Sequence, residues 1–231
     1  MPKLSLIVPT YNEKDNVAPQ FQHIANTISD FEIIFVDDNS PDGTAKVIKE
    51  LQSGDARIRL LQRPGKMGLG TAIMDGLKLA TGDFVGMMDA DLSHDATALP
   101  AMIDAFSEFD IIIGSRYVKG GKILGWPLSR YVVSRVAILI AKILLNPSVR
   151  DTTSGFVLYR RQMLEELRGK LSTRGYKLLL EVLVKSPQAR VKEIPITFVN
   201  RLSGKSKLNR GEIIEFLKLC WQLRRYRSGT S

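Results

Sequence analysis

Phe84-Val85-Gly86-Met87-Met88-Asp89-Ala90-Asp91-Leu92-Ser93-His94 is the stretch on which the reading of this chain turns. Its first five residues form an apolar run of the kind a strand covered on both faces requires. The run delivers two carboxylates, one residue apart, into a loop. Side chains alternate across a strand, so Asp89 and Asp91 start on one side and Ala90 on the other. Two hard oxygen donors at a strand's carboxyl end suit Mg²⁺ or Mn²⁺, which take carboxylate, water and phosphate oxygens. The plainer alternative is an acidic turn in which an Asp caps the following helix.

Upstream, Leu4-Ser5-Leu6-Ile7-Val8 and Glu32-Ile33-Ile34-Phe35-Val36 repeat the pattern of an apolar run followed by a polar, acidic turn. The turns are Pro9-Thr10-Tyr11-Asn12-Glu13 and Asp37-Asp38-Asn39-Ser40-Pro41-Asp42-Gly43-Thr44. Asn12 is the expected N-cap of a helix whose stripe is Val17, Phe21, Ile24 and Ile28. His23 falls between stripe positions and reads as a surface residue. Val47, Ile48 and Leu51 mark a second helix, and Ile58 to Leu61 a third strand. The glycine-rich segment Arg63 to Gly70 lacks Walker spacing; it either lets backbone approach a diphosphate or sugar, or makes a tight turn. Alternating strands and helices predict an α/β fold with a mostly parallel central sheet flanked by helices. Ligands bind outside the carboxyl ends of such strands, where Glu13, Asp37/Asp38 and Asp89/Asp91 all fall.

Downstream, Leu99 to Phe106 reads as a helix and Asp110 to Gly114 as a strand ending in Ser115-Arg116-Tyr117. Lys119-Gly120-Gly121-Lys122 reads as a mobile basic loop. Apolar residues nearly encircle the helix expected from Arg130 to Leu145, which covers roughly 24 Å and falls short of the roughly 30 Å hydrocarbon core. It is therefore expected to be interfacial or buried. Val191 to Val199 reads as an edge strand that tolerates Pro195. Residues 200–208 read as a mobile cationic loop suited to closing over phosphate. The final helix carries a polar stripe at Glu215, Lys218, Gln222 and Arg225, and ends in Arg224-Arg225-Tyr226-Arg227. It reads as a membrane-surface helix or a solvated basic tail. The expected organisation is a catalytic domain over 1–210 and an amphipathic basic helix and tail over 211–231.

The 231 residues carry 33 Lys and Arg against 24 Asp and Glu, a formal charge of +9. That excess calls for an anionic partner such as a phosphorylated substrate or anionic lipid. Aromatics make up 7% and form no RNA-recognition signature or stacking strip, so nucleic acid is not the expected partner. The single Cys220 excludes an intramolecular disulfide and a cysteine zinc site, and points to a reducing compartment. The start of the chain reads as a strand and turn rather than a signal peptide.

Taken together, Pro9-Thr10-Tyr11-Asn12-Glu13, Val36-Asp37-Asp38-Asn39-Ser40-Pro41-Asp42-Gly43-Thr44 and Asp89-Ala90-Asp91 resemble family 2 glycosyltransferases of the GT-A (Rossmann-like) fold. More narrowly, Asp89 to His94, Ile113-Gly114-Ser115-Arg116-Tyr117, Ser154-Gly155-Phe156 and Gly204-Lys205-Ser206-Lys207-Leu208 resemble the dolichol-phosphate mannose synthases. The resemblance implies that Pro9, Tyr11, Glu13, Val36 and Asp38 hold the guanosine of GDP-mannose. It implies that Asp89, Ala90 and Asp91 meet the ribose, diphosphate and a Mg²⁺ or Mn²⁺ ion, with Asp91 the most direct ligand. Arg116, Arg130 and Ser134 would receive the acceptor phosphate, with Asp91, Arg116 and Arg130 forming the catalytic set. Arg201 and Lys207 would clamp the donor diphosphate. Some relatives carry Gln where this chain has Ser93, a weaker metal ligand that would act through water.

Such enzymes invert the sugar centre. A dolichyl or polyprenyl phosphate acceptor is already ionised at neutral pH (second pKa about 6), so it needs no general base. An excess of cations and no histidine in the second half are then expected; His23 and His94 are the only histidines. Members of the family reach the membrane through their own helices or through small membrane subunits. No run of about eighteen apolar residues occurs here, so peripheral placement on the cytoplasmic side of a membrane is expected, with a small anchoring subunit as one route. That membrane would be the endoplasmic reticulum in a eukaryote and the plasma membrane in a prokaryote. Two alternatives remain: the same fold using UDP-glucose or another nucleotide sugar, and a non-catalytic nucleotide- or nucleic-acid-binding module. Asp89, Asp91, Arg116 and Arg201 argue against the second.

Overall fold

The computed structural model describes residues 3–171, 178–200 and 210–229. In chain order the elements are β1 (Leu4–Thr10), α1 (Val17–Ala25), β2 (Phe31–Asp37), α2 (Thr44–Gly54), β3 (Ile58–Gln62), α3 (Leu69–Leu77) and β4 (Phe84–Met87). Then come α4 (Leu99–Asp104), β5 (Ile111–Ser115), β6 (Lys122–Leu124), α5 (Leu128–Leu145), β7 (Val157–Arg160) and α6 (Arg161–Leu167). The last are α7 (Leu178–Lys185), β8 (Val191–Pro195), β9 (Thr197–Val199) and α8 (Arg210–Gly229).

Among the described residues the main sheet has the order β3-β2-β1-β4-β7-β5-β8. All its pairs are parallel except those made by β7, which runs antiparallel to both β4 and β5. The chain winds outward from β1 to β2 and β3, then crosses to β4 on the other side. The loops after β1 and β4 therefore flank a topological switch point, where crevices open at the carboxyl edge. Side-chain alternation splits the core in two: Leu4, Leu6 and Val8 face α1 and α4, whereas Ile7, Ile34 and Val36 face α3, α6 and α7. A third cluster, built from Ala141 and Leu145 of α5, Leu180 of α7, and Phe216, Leu219, Cys220 and Leu223 of α8, docks the C-terminal helix onto the domain.

Three local expectations are corrected. Asn12 does not cap α1; it adopts φ 59°, a left-handed turn that Asn tolerates, and the helix begins five residues later with Asn16 at its N-cap. The segment 191–199 is two strands rather than one. Pro195 ends the edge strand β8, and after the buried Ile196 the chain enters a second sheet in which β9 pairs with β6. Lys119-Gly120-Gly121-Lys122 is a tight turn leading into β6 rather than an open loop. Gly120 has φ 95°, Gly121 N–H donates to Val118 O at 2.9 Å, and a Cβ on Gly121 would lie 2.7 Å from Ser115 O. Only glycine lets that backbone pass.

Candidate active site

The turns after β1 and β2 are sewn together by side chains. Asn12, Glu13 and Lys14 donate successive backbone N–H groups to Ser40 Oγ, Thr44 Oγ1 and Asp42 Oδ2, at 3.0, 3.0 and 3.2 Å. Asp37 is fully buried and accepts from Thr10 Oγ1 and from Ser40 N, so its part is to hold the turn. Asp38 is gripped by Arg63, whose Nε donates to Asp38 Oδ1 at 2.6 Å while its other nitrogens reach Thr71 Oγ1 and Gly68 O. The glycine-rich segment is thus the seat of Arg63, the buried cation that orients Asp38. Lys66 Nζ lies 4.4 Å from the centroid of the Tyr11 ring, bringing that segment over the β1 turn. Glu13 Oε2 accepts from Asn16 Nδ2 at 2.7 Å, beside the start of α1.

At the end of β4, Asp89 and Asp91 are half-buried on the loop, next to β1 at the switch point. Ser93 N–H donates to Asp91 Oδ1 at 3.1 Å, and His94 Nε2 lies 3.3 Å from Asp89 Oδ2. Ser93 Oγ is buried without a hydrogen-bond partner among the described residues.

Beyond β5, Arg116 makes a buried, two-pronged pair with Asp151: Nε to Oδ2 at 2.8 Å and Nη2 to Oδ1 at 2.7 Å, with Nη2 also donating to Thr153 Oγ1. Burial opposes both charges, yet each partner's charge overrides it, so the Arg116 pKa is raised and the Asp151 pKa lowered. Glu193 of β8 braces this pair, accepting from Asp151 N and Ser115 Oγ. A cleft of 380 Å³ opens beside it, lined by Arg116, Tyr117, Ile123, Trp126, Leu128 and Tyr131 among others. Arg130 stacks 4.3 Å from the Trp126 ring and donates to Asn200 Oδ1 at 2.8 Å. Tyr117 OH donates to Ser134 Oγ at 2.8 Å, and burial pushes its pKa up.

A sequence model described as glycosyl transferase family 2 matches residues 5–168. The chain belongs to glycosyl transferase family 2. It is 40% identical over 229 residues to the dolichol-phosphate mannosyltransferase of Pyrococcus furiosus, covering 97% of this chain but 64% of that protein. It is 34% identical to the undecaprenyl-phosphate mannosyltransferase of Micrococcus luteus and 33% identical to the dolichol-phosphate mannosyltransferase of Saccharomyces cerevisiae, spanning 88% and 89% of their lengths and 90% and 98% of its own. Among solved structures, the mannosyltransferase PcManGT of Pyrobaculum calidifontis, in complex with GDP-Man and Mn²⁺, superposes with a TM-score of 0.64 at 20% identity, over 97% of this chain and 61% of that one. Glucosyl-3-phosphoglycerate synthase of Mycobacterium tuberculosis, in complex with Mn²⁺, UDP-glucose and phosphoglyceric acid, gives 0.70 at 17% identity, over 99% and 80%. At those identities the likeness concerns the fold, which is that of the GT-A glycosyltransferases.

Within this glycosyltransferase the anticipated site residues separate into groups. Pro9, Tyr11, Glu13, Asp38, Asp89 and Asp91 gather at the carboxyl edge around β1, β2 and β4. Val36 and Ala90 do not present side chains there. Val36 is 0% exposed and Ala90 lies in the opposite core layer, so any contact they make with a ligand falls to their main chain. Arg130, Arg116 and Ser134 cluster around the aromatic cleft, with Arg116 committed to Asp151. Arg201 and Lys207 lie outside the described residues. Among the described residues no three His, Cys, Asp or Glu side chains form a metal-holding group. Two carboxylates beside the unsatisfied Ser93 Oγ nonetheless fit a hard cation that keeps waters and takes its remaining oxygens from a diphosphate. Sequence reasoning missed Arg63, Asp151 and Trp126. Only for Arg63 was there a signal: an Arg opening a glycine-rich turn after a strand.

Proposed function

We propose that this chain transfers mannose, with inversion, from GDP-mannose to dolichyl or another polyprenyl phosphate. The observation that supports this reading is one continuous edge. The Asp89–Asp91 loop at the switch point adjoins, through the strand pair β6–β9, a cationic aromatic cleft that opens onto the exposed apolar side of α5. A donor diphosphate suits the first half of that edge. A phosphate carrying an apolar chain suits the second.

In this reading Tyr11, Glu13 and Asp38 receive the nucleoside, with Arg63 orienting Asp38. Asp91 and Asp89, with Ser93 through water, hold Mg²⁺ or Mn²⁺, which when bound offsets charge on the leaving nucleoside diphosphate. Arg130 and Ser134 receive the acceptor phosphate, and Arg201 and Lys207 close on the donor. The acceptor oxygen needs no deprotonation. The polar groups beside the cleft are consistent with that: the Asp151 carboxylate is buried against Arg116, and burial raises the Tyr117 pKa rather than preparing a base. Catalysis then consists of positioning and charge stabilisation.

No helix among the described residues is long and apolar enough to cross a membrane. The exposed apolar residues of α5 and α8, set among Arg and Lys, support peripheral seating on an anionic leaflet, alone or beside a small membrane subunit.

The deciding assay follows radiolabelled mannose from GDP-mannose into organic-extractable lipid, with polyprenyl phosphate and Mn²⁺ or Mg²⁺, and with EDTA, no-acceptor and UDP-glucose controls. Label that needs acceptor and metal is expected. Label from UDP-glucose alone would move the donor assignment, and silence with both donors would sink the reading.

A further inference from the structure

His94 stands where the acidic loop meets two other segments of the chain. Its ring is wedged between Phe156 and Phe198, with centroids 5.5 and 5.1 Å away. Its main chain bridges to Phe198, and Val199 N–H donates to Ser93 O at 2.9 Å. The imidazole therefore has little freedom to turn. Nε2 faces Asp89 Oδ2 at 3.3 Å, while Nδ1 is buried with no hydrogen-bond partner among the described residues. A buried N–H without an acceptor costs about 1–3 kcal/mol. The proton consequently belongs on Nε2, which makes the imidazole a donor to the Asp89 carboxylate.

Gly155 lies beside this contact. A Cβ at that position would lie 3.3 Å from Asp89 Oδ2, tight enough that the carboxylate must give by a few tenths of an ångström, and 3.4 Å from His94 Nε2, in ordinary contact. The Ser154-Gly155-Phe156 segment thus supplies the space beside the pair and one wall of the ring's slot. The Asp89 side chain is 42% exposed at the end of a strand. Outer hydrogen bonds of this type fix a carboxylate ligand's orientation, and removing them typically weakens metal binding by about 10- to 100-fold.

We propose that His94 is a positioning residue that fixes the Asp89 carboxylate through its Nε2–H, beside Gly155, so that the acidic loop is preset for a divalent cation. The proposal rests on the reading of Asp89 and Asp91 as cation ligands.

The test is Mn²⁺ binding itself, followed by the electron paramagnetic resonance signal of free Mn²⁺, with and without GDP, alongside thermal melts. In His94→Phe an aromatic ring still fills the slot but the donor is gone; affinity should fall about 10- to 100-fold with little change in melting. In His94→Gln the amide nitrogen reaches close to the position of Nε2 and should restore most of the binding. Gly155→Ala should weaken binding less than His94→Phe does, since only Asp89 Oδ2 must give way, and if His94→Phe fails to fold, the contrast between His94→Gln and Gly155→Ala decides in its place. Wild-type affinity in His94→Phe, or His94→Gln no better than His94→Phe, would overturn the proposal while leaving the cation site intact. Absence of Mn²⁺ binding by the wild-type protein, with Asp91→Ala indistinguishable from it, would remove the underlying reading first.

Discussion

Asp91 and Arg116 both sit at the carboxyl edge of the sheet, yet their surroundings assign them different consequences on removal. Asp91 is half-exposed on its loop, so Asp91→Ala should leave the fold intact and lower mannosyl transfer by at least about 100-fold, the scale of losing a cation's charge stabilisation. Near-normal turnover in metal-replete buffer would remove it as a ligand. Arg116 is locked to a fully buried carboxylate, and Arg116→Ala would leave Asp151 charged and unpaired, at a cost of about 3–5 kcal/mol. Arg130 donates to Asn200 Oδ1 at 2.8 Å and stacks on Trp126. Arg130→Ala should raise the KM for polyprenyl phosphate about tenfold or more, with a smaller loss of melting temperature than Arg116→Ala and an unchanged GDP-mannose KM. Thermal melts and a two-substrate kinetic comparison separate the two arginines; the same behaviour from both would contradict the assignment. That Arg116 ends a strand was legible from Ser115-Arg116-Tyr117. That it is paired was not, because Asp151 lies 35 positions away and nothing local marks it.

At the scale of elements, α5 and α8 are amphipathic in a way their sequence states only in part. The apolar residues of α5 nearly encircle it, and packing alone decides which are covered: Ala141 and Leu145 face α8, whereas Leu139 is 55% and Ile143 72% exposed. Trp221 and Ile214 of α8 are exposed as well. Replacing Leu139 and Ile143 together by Glu should leave stability near wild type, since neither side chain is in the core. It should cut binding to anionic phospholipid vesicles about tenfold or more, because two side chains that would insert are lost and two repulsive charges gained. Vesicle co-sedimentation checks this, and unchanged binding would place the membrane contact elsewhere or assign it to a partner subunit. The strands β2, β4 and β5 were legible because each carries a run of consecutive apolar residues. The division of 191–199 into two sheets was not, since alternation continues through Ile196 and only the position of β6 draws Thr197–Val199 away.

Across the whole molecule, depressed carboxylates tie distant segments together. Asp110 accepts from Arg190 and, to lesser effect, from Arg160, and these bonds hold its pKa down to about 2 against an ordinary 3.8. Because the folded value lies below the unfolded one, the stabilisation is full above the unfolded pKa and is lost as pH falls from about 4 through about 2. Solvent screening keeps the contribution to no more than about 1 kcal/mol. Melts at about pH 5 and about pH 2.5 should therefore differ less for Asp110→Asn than for wild type; an equal difference would dismiss the pair as a stabiliser. The amino-acid sequence by itself determined the α/β class, the parallel βα units and the collection of acidic turns on one edge, because apolar runs and turn chemistry act over a few residues. It also contained the motifs of family 2. Tertiary structure alone decided that β7 enters the sheet antiparallel, that Arg63 grips Asp38 and Asp151 grips Arg116, and that His94 lies against Asp89 beside Gly155. Apart from the His94–Asp89 pair, five residues apart, those contacts join positions distant along the chain, and their energies exist only once burial has removed the competing water.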